Sequence, residues 1–514
     1  MMKLKVNQLR TGVYLSYINL ALGSLIPFLY TPIMLKLLGQ EEYGLYSLAN
    51  SVVGYLSLLS FGFGSTIIRY VTKYRIEGNK HEVEKLYGFF LKLYSILGFL
   101  VIVGGVIISN NVSTIFEQGL TLAEIDKLKV LVLIMAVNVA ISFPLSVFSS
   151  LAISYERFLH RKLMDIASTV AAPILNLIVL MLGYASVGIA LGTTVIQCVL
   201  GVISILYCTS ILKIKPSFEK LNKNIIKEMI NVSFFHFIGA IVDMLFWATD
   251  KVILGMLANT VAVAVYNVGG TFNNIVMSLT SSISGVLAPK ITGMVVSDTP
   301  KKEWTMLFIK IGRLQFFIVA LIVSGFTVFG QVFIDLWAGN EYANSYWIAI
   351  LTLFPLCIPL IQSTGLSFVT AQNKHHFRSI VYLVIAIINV VSTYIVTPYW
   401  GGIGAAMCSC ISYFVGQGLI MNIYYYKVTG LNIPLFWKNI LKMSIVPGIM
   451  LAIGILLKQI IFVDNWVEFF IGVALFTVIY VLLMYVFVMN DYEKDFIRKP
   501  FMKMISKIKK KDHK

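Results

Sequence analysis

The sequence predicts an all-α polytopic membrane protein with about fourteen transmembrane helices, organised as two parallel six-helix lobes followed by two additional helices. Three observations carry that expectation. Hydrophobic residues make up 58% of the 514 positions, charged residues only 13%, and the mean hydropathy is +0.84. One soluble core cannot hide so much apolar surface, so most of the chain must face lipid or neighbouring spans. The apolar residues gather into runs of about 20 or more, the length an α-helix needs to cross a hydrocarbon core of about 30 Å. Basic residues sort to alternate sides of those runs, as membrane orientation requires.

In order, the runs cover residues 12–38, 44–68, 86–109, 130–154, 163–183, 187–212, 229–257, 262–288, 306–333, 345–371, 379–397, 402–426, 439–461 and 467–489. Short separations such as Gly183 to Val187 fit tight helical hairpins. The first run continues to about Leu38 with no small-residue cleavage site behind it, so it reads as a span and not a removable signal. The five cysteines, Cys198, Cys208, Cys357, Cys408 and Cys410, lie in apolar runs without metal-site or disulfide spacing and read as small core residues. No cofactor or metal is expected.

Charge provides an independent check on the count. With both termini in the cytoplasm, the tails, the even-numbered loops and the inner ends of the spans hold 36 of the 41 Lys and Arg, and the outer loops and outer span ends only Lys36, Lys127, Lys129 and Lys458. One missed span would scramble that division. The net charge of +17 then reflects orientation and contact with anionic lipid, and needs no nucleic acid. The tail sets Lys503, Lys507, Lys509, Lys510 and Lys511 around Phe501, Met504, Ile505 and Ile508. As a helix it would be amphipathic and suited to the inner leaflet; the simpler account is a solvated basic tail that fixes topology.

The chain also echoes itself. Asn176 followed by Gly188-Ile189-Ala190 returns as Asn389 followed by Gly402-Ile403-Gly404-Ala405-Ala406, and Tyr46 returns as Tyr266. These pairings divide the chain into lobes at 1–213 and 214–428, two further helices at 429–490 and a basic cytoplasmic tail at 491–514. Six spans per lobe makes the repeats parallel, with substrate expected between them near the midplane and alternating access by rocking.

The seventh run holds the most informative polar residues. His236, Asp243 and Asp250 stand seven apart, and seven steps of about 100° return to one helix face within about 20°. Carboxylates facing lipid cost several kcal/mol, so the stripe is expected to face a wet or protein-lined cavity. Lys251 points about 100° away from Asp250, which argues against a mutual salt bridge. Other cavity candidates are Arg69 at the inner end of the second run, Asn50 with Ser57, and Asn267 and Asn274 in line with Ser281. Asn19, with Gly23 and Pro27, gives the first run a similar seam. Helix packing is the competing account for every Asn and Ser. For Lys92, Lys310 and Arg313, snorkelling to the inner surface is the default.

Leu38-Gly39-Gln40-Glu41-Glu42-Tyr43-Gly44-Leu45-Tyr46-Ser47-Leu48, then Leu58-Leu59-Ser60-Phe61-Gly62-Phe63-Gly64 and Arg69-Tyr70, resembles the N-terminal signature of bacterial polysaccharide-unit flippases of the Wzx type. Asp250-Lys251-Val252-Ile253-Leu254-Gly255 with Val265-Tyr266-Asn267 is similar to that family's junction of the seventh and eighth spans. The resemblance takes in essentially the whole chain and implies the two-lobed architecture of multidrug and toxin extruders. Ser60 departs from it, because relatives often carry Asp there. The resemblance implies export of undecaprenyl-diphosphate-linked oligosaccharide repeat units across the bacterial cytoplasmic membrane for polysaccharide assembly. Because one stripe of titratable groups can couple an H⁺ or Na⁺ gradient to rocking, His236, Asp243, Asp250 and Lys251 are the ion-coupling or cavity candidates, and glycan polymerase machinery is the expected protein partner. A multidrug and toxin extruder is the alternative. A membrane glycosyltransferase or polymerase fits less well. The largest outer loop, 110–129, carries only Glu117, Glu124 and Asp126 as acids and no His, and His375-His376 sits on a short inner loop. No Gly-rich phosphate loop is present.

Overall fold

The computed structural model describes residues 8–458, 463–495 and 498, without the side chains of 8–14, 235, 279, 281–286 and 375–376. The side chains of Ser281, His375 and His376 and the basic tail from Lys499 onward therefore lie outside the described residues. The regular structure of the described residues is entirely helical. Its helices are α1 (Gln8–Ser57), α2 (Phe63–Ile76), α3 (Lys80–Ile115), α4 (Leu122–Ser154), α5 (Phe158–Met181), α6 (Ala185–Tyr207), α7 (Lys223–Trp247), α8 (Thr249–Leu257), α9 (Thr260–Val296), α10 (Lys301–Trp337), α11 (Ser345–Ile361), α12 (Ser363–Ala371), α13 (His375–Tyr413), α14 (Met421–Tyr424), α15 (Ile433–Lys458) and α16 (Trp466–Phe487). Hydrocarbon offers no water to an exposed peptide group, so an apolar segment must satisfy its own backbone, and the helix does so. Polar caps mark several starts. Asn79 accepts from the Glu82 amide, Thr121 and Glu124 form a reciprocal capping box, and Asn465 accepts from the Glu468 amide.

Among the described residues, ten helical runs are long and apolar enough to cross a membrane, or eleven with the bent α11–α12 pair, against fourteen expected from the sequence. Two runs are far longer than one span. Leu15–Ile76 has 62 residues and Phe377–Thr429 has 53; at 1.5 Å per residue the first would extend about 93 Å, roughly three hydrocarbon thicknesses. Each contains a backbone break, at Gly39 (φ 76, ψ 172) and Gly401 (φ 52, ψ −138). Neither conformation is open to a residue with a Cβ without strain.

The described residues pack as two compact units. One takes the chain up to Asn267 with Ala386–Ala405; the other takes Val268–Ile385 with the residues from Ala406 onward. In the first, helices approach through glycine, as expected where lipid is as apolar as leucine and close backbone contact supplies the attraction. A Cβ on Gly44 would fall on the Thr260 carbonyl, one on Gly88 on the Ser217 carbonyl, and one on Gly119 on the Gly255 carbonyl. Glu42, in the turn after Gly39, accepts from Lys127 Nζ at 2.7 Å, the Ser186 amide at 3.1 Å and the Ser186 hydroxyl at 2.5 Å. It thereby ties that turn to the starts of α4 and α6. Glu124 similarly accepts from the Thr260 hydroxyl at 2.6 Å. Outside the spans, Glu219 accepts from Lys85 and lies 3.2 Å from His81 Nε2; the hydrogen bond from the Lys85 ammonium is the main cause that holds its carboxyl below the usual range.

In the second unit, α16 packs on α10 and α15 through Val328, Met443, Met450, Phe476, Tyr480 and Met484. Asn422 is a polar hub. Its amide donates to the carbonyls of Gln417 and Gly418, and its oxygen accepts from Gln362 Nε2 at 2.8 Å and Trp437 Nε1 at 2.9 Å. One expectation is overturned here. Arg313 does not snorkel: it is buried, and Nε and Nη2 grip both Glu493 oxygens at 2.6 and 2.8 Å while Nη2 also reaches the Val488 carbonyl at 3.0 Å. A carboxylate 180 residues further along the chain compensates the buried charge, which local sequence does not reveal.

Gly44→Ala should destabilise the protein by about 1–3 kcal/mol, because the methyl must displace backbone. Thermal unfolding in detergent should separate it from Gly23→Ala, where nothing lies within 4 Å of the new methyl.

Candidate functional site

The candidate site is built on two neighbouring discontinuous helices of the first unit. The apolar run after Gly39 reaches Ser57, tightens into a 3₁₀ turn at Leu58–Ser60, passes through Phe61 (φ 50) and Gly62 (φ 65), and restarts as α2. The phenylalanine-glycine stretch of the signature is therefore a break. Alongside it runs α7, which stops at Trp247, passes through Ala248 (φ −110, ψ −32) and continues as α8.

The two helices are locked together along their length. Gly54 leaves room for the thioether of Met244, and a Cβ on Gly62 would meet His236 Cβ at 2.9 Å. Phe61 and Phe237 rings stand 4.5 Å apart, and the Thr66 and Ser233 hydroxyls hydrogen-bond at 2.8 Å. Tyr55 and Thr249 hydroxyls bond across the α7–α8 break. Broken spans are tolerated where neighbours or water satisfy the freed backbone, and they are where transporters place ligands.

On this frame His236, Asp243, Asn50 and Arg69 are alike in being exposed: Asn50 stands on α1, His236 and Asp243 on α7, and Arg69 on α2 beyond the break. Asn50 is exposed and donates to the Tyr46 carbonyl at 3.2 Å. The Arg69 guanidinium stands 6.0 Å from the centre of the Tyr70 ring. His236 and Asp243 are both exposed on α7.

Asp250 goes elsewhere. The change of backbone at Ala248 interrupts the seven-residue register, and Asp250 is 1% exposed. Its oxygens accept from the Tyr266 hydroxyl and, at 3.4 Å, from the Thr393 hydroxyl. Lys251 enters a different network: Nζ donates to Asn267 Oδ1 at 3.2 Å, and the Asn267 amide donates to the Tyr43 hydroxyl at 2.7 Å and to Ser47 at 3.1 Å. The structure thus brings Lys251 and Asn267 together and separates Asp250 from Asp243. Asn274 is exposed on α9 and belongs to the second unit, while its neighbour Asn273 is buried and accepts from Thr352 at 3.3 Å.

Tyr43, Ser47, Tyr55, Thr249, Tyr266 and Thr393 are polar partners that sequence reasoning does not single out. Tyr43 and Ser47, four apart in the signature, offer a signal of one polar helix face. Thr393 offers none, since threonine in an apolar span reads as packing. The repeated asparagines Asn176 and Asn389 are both buried, and Asn176 donates to Thr193 at 3.4 Å.

A many-helix fold with paired broken spans, ten or eleven of its described helical runs apolar and long enough to cross a bilayer, defines a polytopic membrane protein. Residues 9–295, more than half of the chain, match the family described as polysaccharide biosynthesis protein, and the chain belongs to that family. The chain is 20% identical to the uncharacterized membrane protein EpsK of Bacillus subtilis (strain 168), over 92% of this chain and 94% of EpsK. Its fold is similar to that of the lipid II flippase MurJ in an inward-closed conformation, with a TM-score of 0.75 and 16% identity, covering 95% of this chain and all of MurJ. An inward-facing multidrug-resistance MATE transporter of the MOP superfamily shares the fold more distantly, with a TM-score of 0.63 and 12% identity, covering 82% of this chain and 99% of that one.

Tyr266→Phe should cost about 1.5–3 kcal/mol, the range for a hydrogen bond to a buried charged group. The measurement is thermal unfolding of the purified protein, and an unchanged midpoint would remove Tyr266 from the support of Asp250.

Proposed function

We propose that this protein is a flippase that carries undecaprenyl-diphosphate-linked oligosaccharide repeat units from the inner to the outer leaflet of the bacterial cytoplasmic membrane for polysaccharide assembly. The observation that carries the reading is the pairing of family membership with exposed polar residues, Asn50, His236, Asp243 and Arg69, on two packed broken helices of an otherwise apolar chain. The diphosphate and sugars need such a face, while the polyprenyl tail stays in lipid. Arg69, at the end of the second apolar run, meets the diphosphate. Asn50, Asn267 and Asn274 contribute to the sugar path. Asp243, with His236, binds and releases H⁺ or Na⁺ as the site alternates between the two sides. The buried pair of networks at Asp250 and Lys251 responds to that cycle from within the protein.

The orientation follows from the charge distribution: fourteen spans, both termini cytoplasmic, in lobes 1–213 and 214–428 with two further helices at 429–490. The interior breaks at Gly39 and Gly401 support counting the two longest runs as two spans each. Similarity to MurJ over 95% of the chain, against 82% for the multidrug transporter, favours a lipid-linked cargo over a soluble drug. The glycan polymerase that receives the unit is the expected partner.

Asp243→Asn should reduce export to background with unchanged membrane abundance, measured as surface glycan against immunoblotted protein. Full export by that variant would remove the coupling role. Arg69→Gln should lower export about tenfold or more if a charge-assisted phosphate contact of about 1.5–3 kcal/mol is lost.

A further inference from the structure

The second unit has its own break inside an apolar run. There α11 and α12 meet at Gln362 with a bend of 46°. Pro355 and Pro359 remove amide donors from α11, and Gln362 (φ −105, ψ 10) ends it. The Gly365 amide closes on the Gln362 carbonyl at 2.8 Å, one residue past the Ile361 carbonyl that a continuous helix would use. The Ile361 carbonyl lies against Gly312 instead, where an added Cβ would meet it at 2.9 Å.

The side chains gathered at this break are polar and uncharged. Gln315 Nε2 donates to the Ser363 hydroxyl at 2.8 Å, while Gln362 Nε2 and Trp437 Nε1 both donate to Asn422 Oδ1. Two acceptors are left over. Gln362 Oε1 and Thr364 Oγ1 have no hydrogen-bond partner, although each residue is only 1% exposed. Ile361 belongs to the aromatic core of Phe308, Tyr425 and Phe436, and Trp437 packs against it, so the break is enclosed by apolar groups. Buried polar atoms are compensated as a rule, and an amide oxygen can only accept, so what satisfies it is a donor or a cation. The C-terminal end of α11 presents the negative end of its dipole and carbonyls that no amide of a continuous helix takes. Interrupted membrane helices coordinate Na⁺ with such ends, and this favours the cation over a neutral donor. Arg313, two residues before Gln315, does not oppose it, because Glu493 takes up its charge.

We propose that the α11–α12 break binds one alkali cation, held by Gln362 Oε1, Thr364 Oγ1 and carbonyl oxygens at the end of α11. The site lies wholly within the second unit and is independent of the coupling role of Asp243. Every ligand is uncharged, so binding is weaker than at a carboxylate site, and occupancy braces the bend between the two helices.

The test follows thermal unfolding of the full chain in detergent, in sodium chloride against choline chloride at constant ionic strength. The chain carries Asp243→Asn, so that the carboxylate assigned to coupling contributes nothing. Sodium at several times its Kd should raise the midpoint by about 2–4 °C over choline. Thr364→Val keeps the shape of the side chain, removes one ligand oxygen and should abolish the rise; Thr364→Ser should retain it. If the valine variant does not fold, Thr364→Ala reads the same loss. Equal midpoints in sodium and choline, or a rise that survives in Thr364→Val, overturns the cation and leaves the buried oxygens to water alone.

Discussion

The constraint on which this structure depends is the absence of water from the hydrocarbon. A peptide group left unpaired there costs several kcal/mol, so the chain is helical wherever it can be. Where a helix stops inside a span, something else must take over. At Leu58–Gly62 the Ser57 hydroxyl donates to the Gly54 carbonyl and the 3₁₀ turn closes with the Phe61 amide on Leu58. At Ala248 the Thr249 hydroxyl reaches both Tyr55 and the Met244 carbonyl. At Gln362 the Asn422 hub binds the side-chain amide. The same requirement that forces helices therefore concentrates polar side chains at the few places where helices fail, and those are the places able to meet a polar cargo or an ion.

The stretch from Leu38 to Leu48 is a joint in these terms. Gly39 reverses the chain, Glu42 fastens the turn to Lys127 and Ser186, Gly44 admits the Thr260 backbone, and Tyr43 with Ser47 holds the amide that receives Lys251. The resemblance carried by this stretch marks a shared architecture, which is why it is strong for fold and silent on cargo.

Much of the fold was legible because its signals are local. Apolar runs and the asymmetry of Lys and Arg act within a few residues of where they stand, whereas the breaks at Gly39 and Gly401 appear only in the backbone. The site was legible only in part. The spacing of His236, Asp243 and Asp250 predicts one stripe, but that arithmetic assumes an unbroken helix, and Ala248 breaks it. Asp250 is consequently buried against Tyr266 and Thr393, while Asp243 stays exposed. Thr393 and Tyr43 reach their networks from 143 and 224 residues away from their partners. Periodicity cannot report a contact of that range. Arg313 failed for the same reason: its neighbours in sequence suggest snorkelling, and its partner is distant.

The separation of Arg313 from Glu493 also bears on how the protein is made. Arg313 is synthesised 180 residues before Glu493 and enters the membrane with α10. Throughout the insertion of α11 to α16 it has no Glu493 to meet, so the nascent second unit carries a guanidinium without that carboxylate until Glu493 is made. A chain cut short before Glu493 would leave a buried cation without the group that compensates it, and should fold less stably for that reason alone.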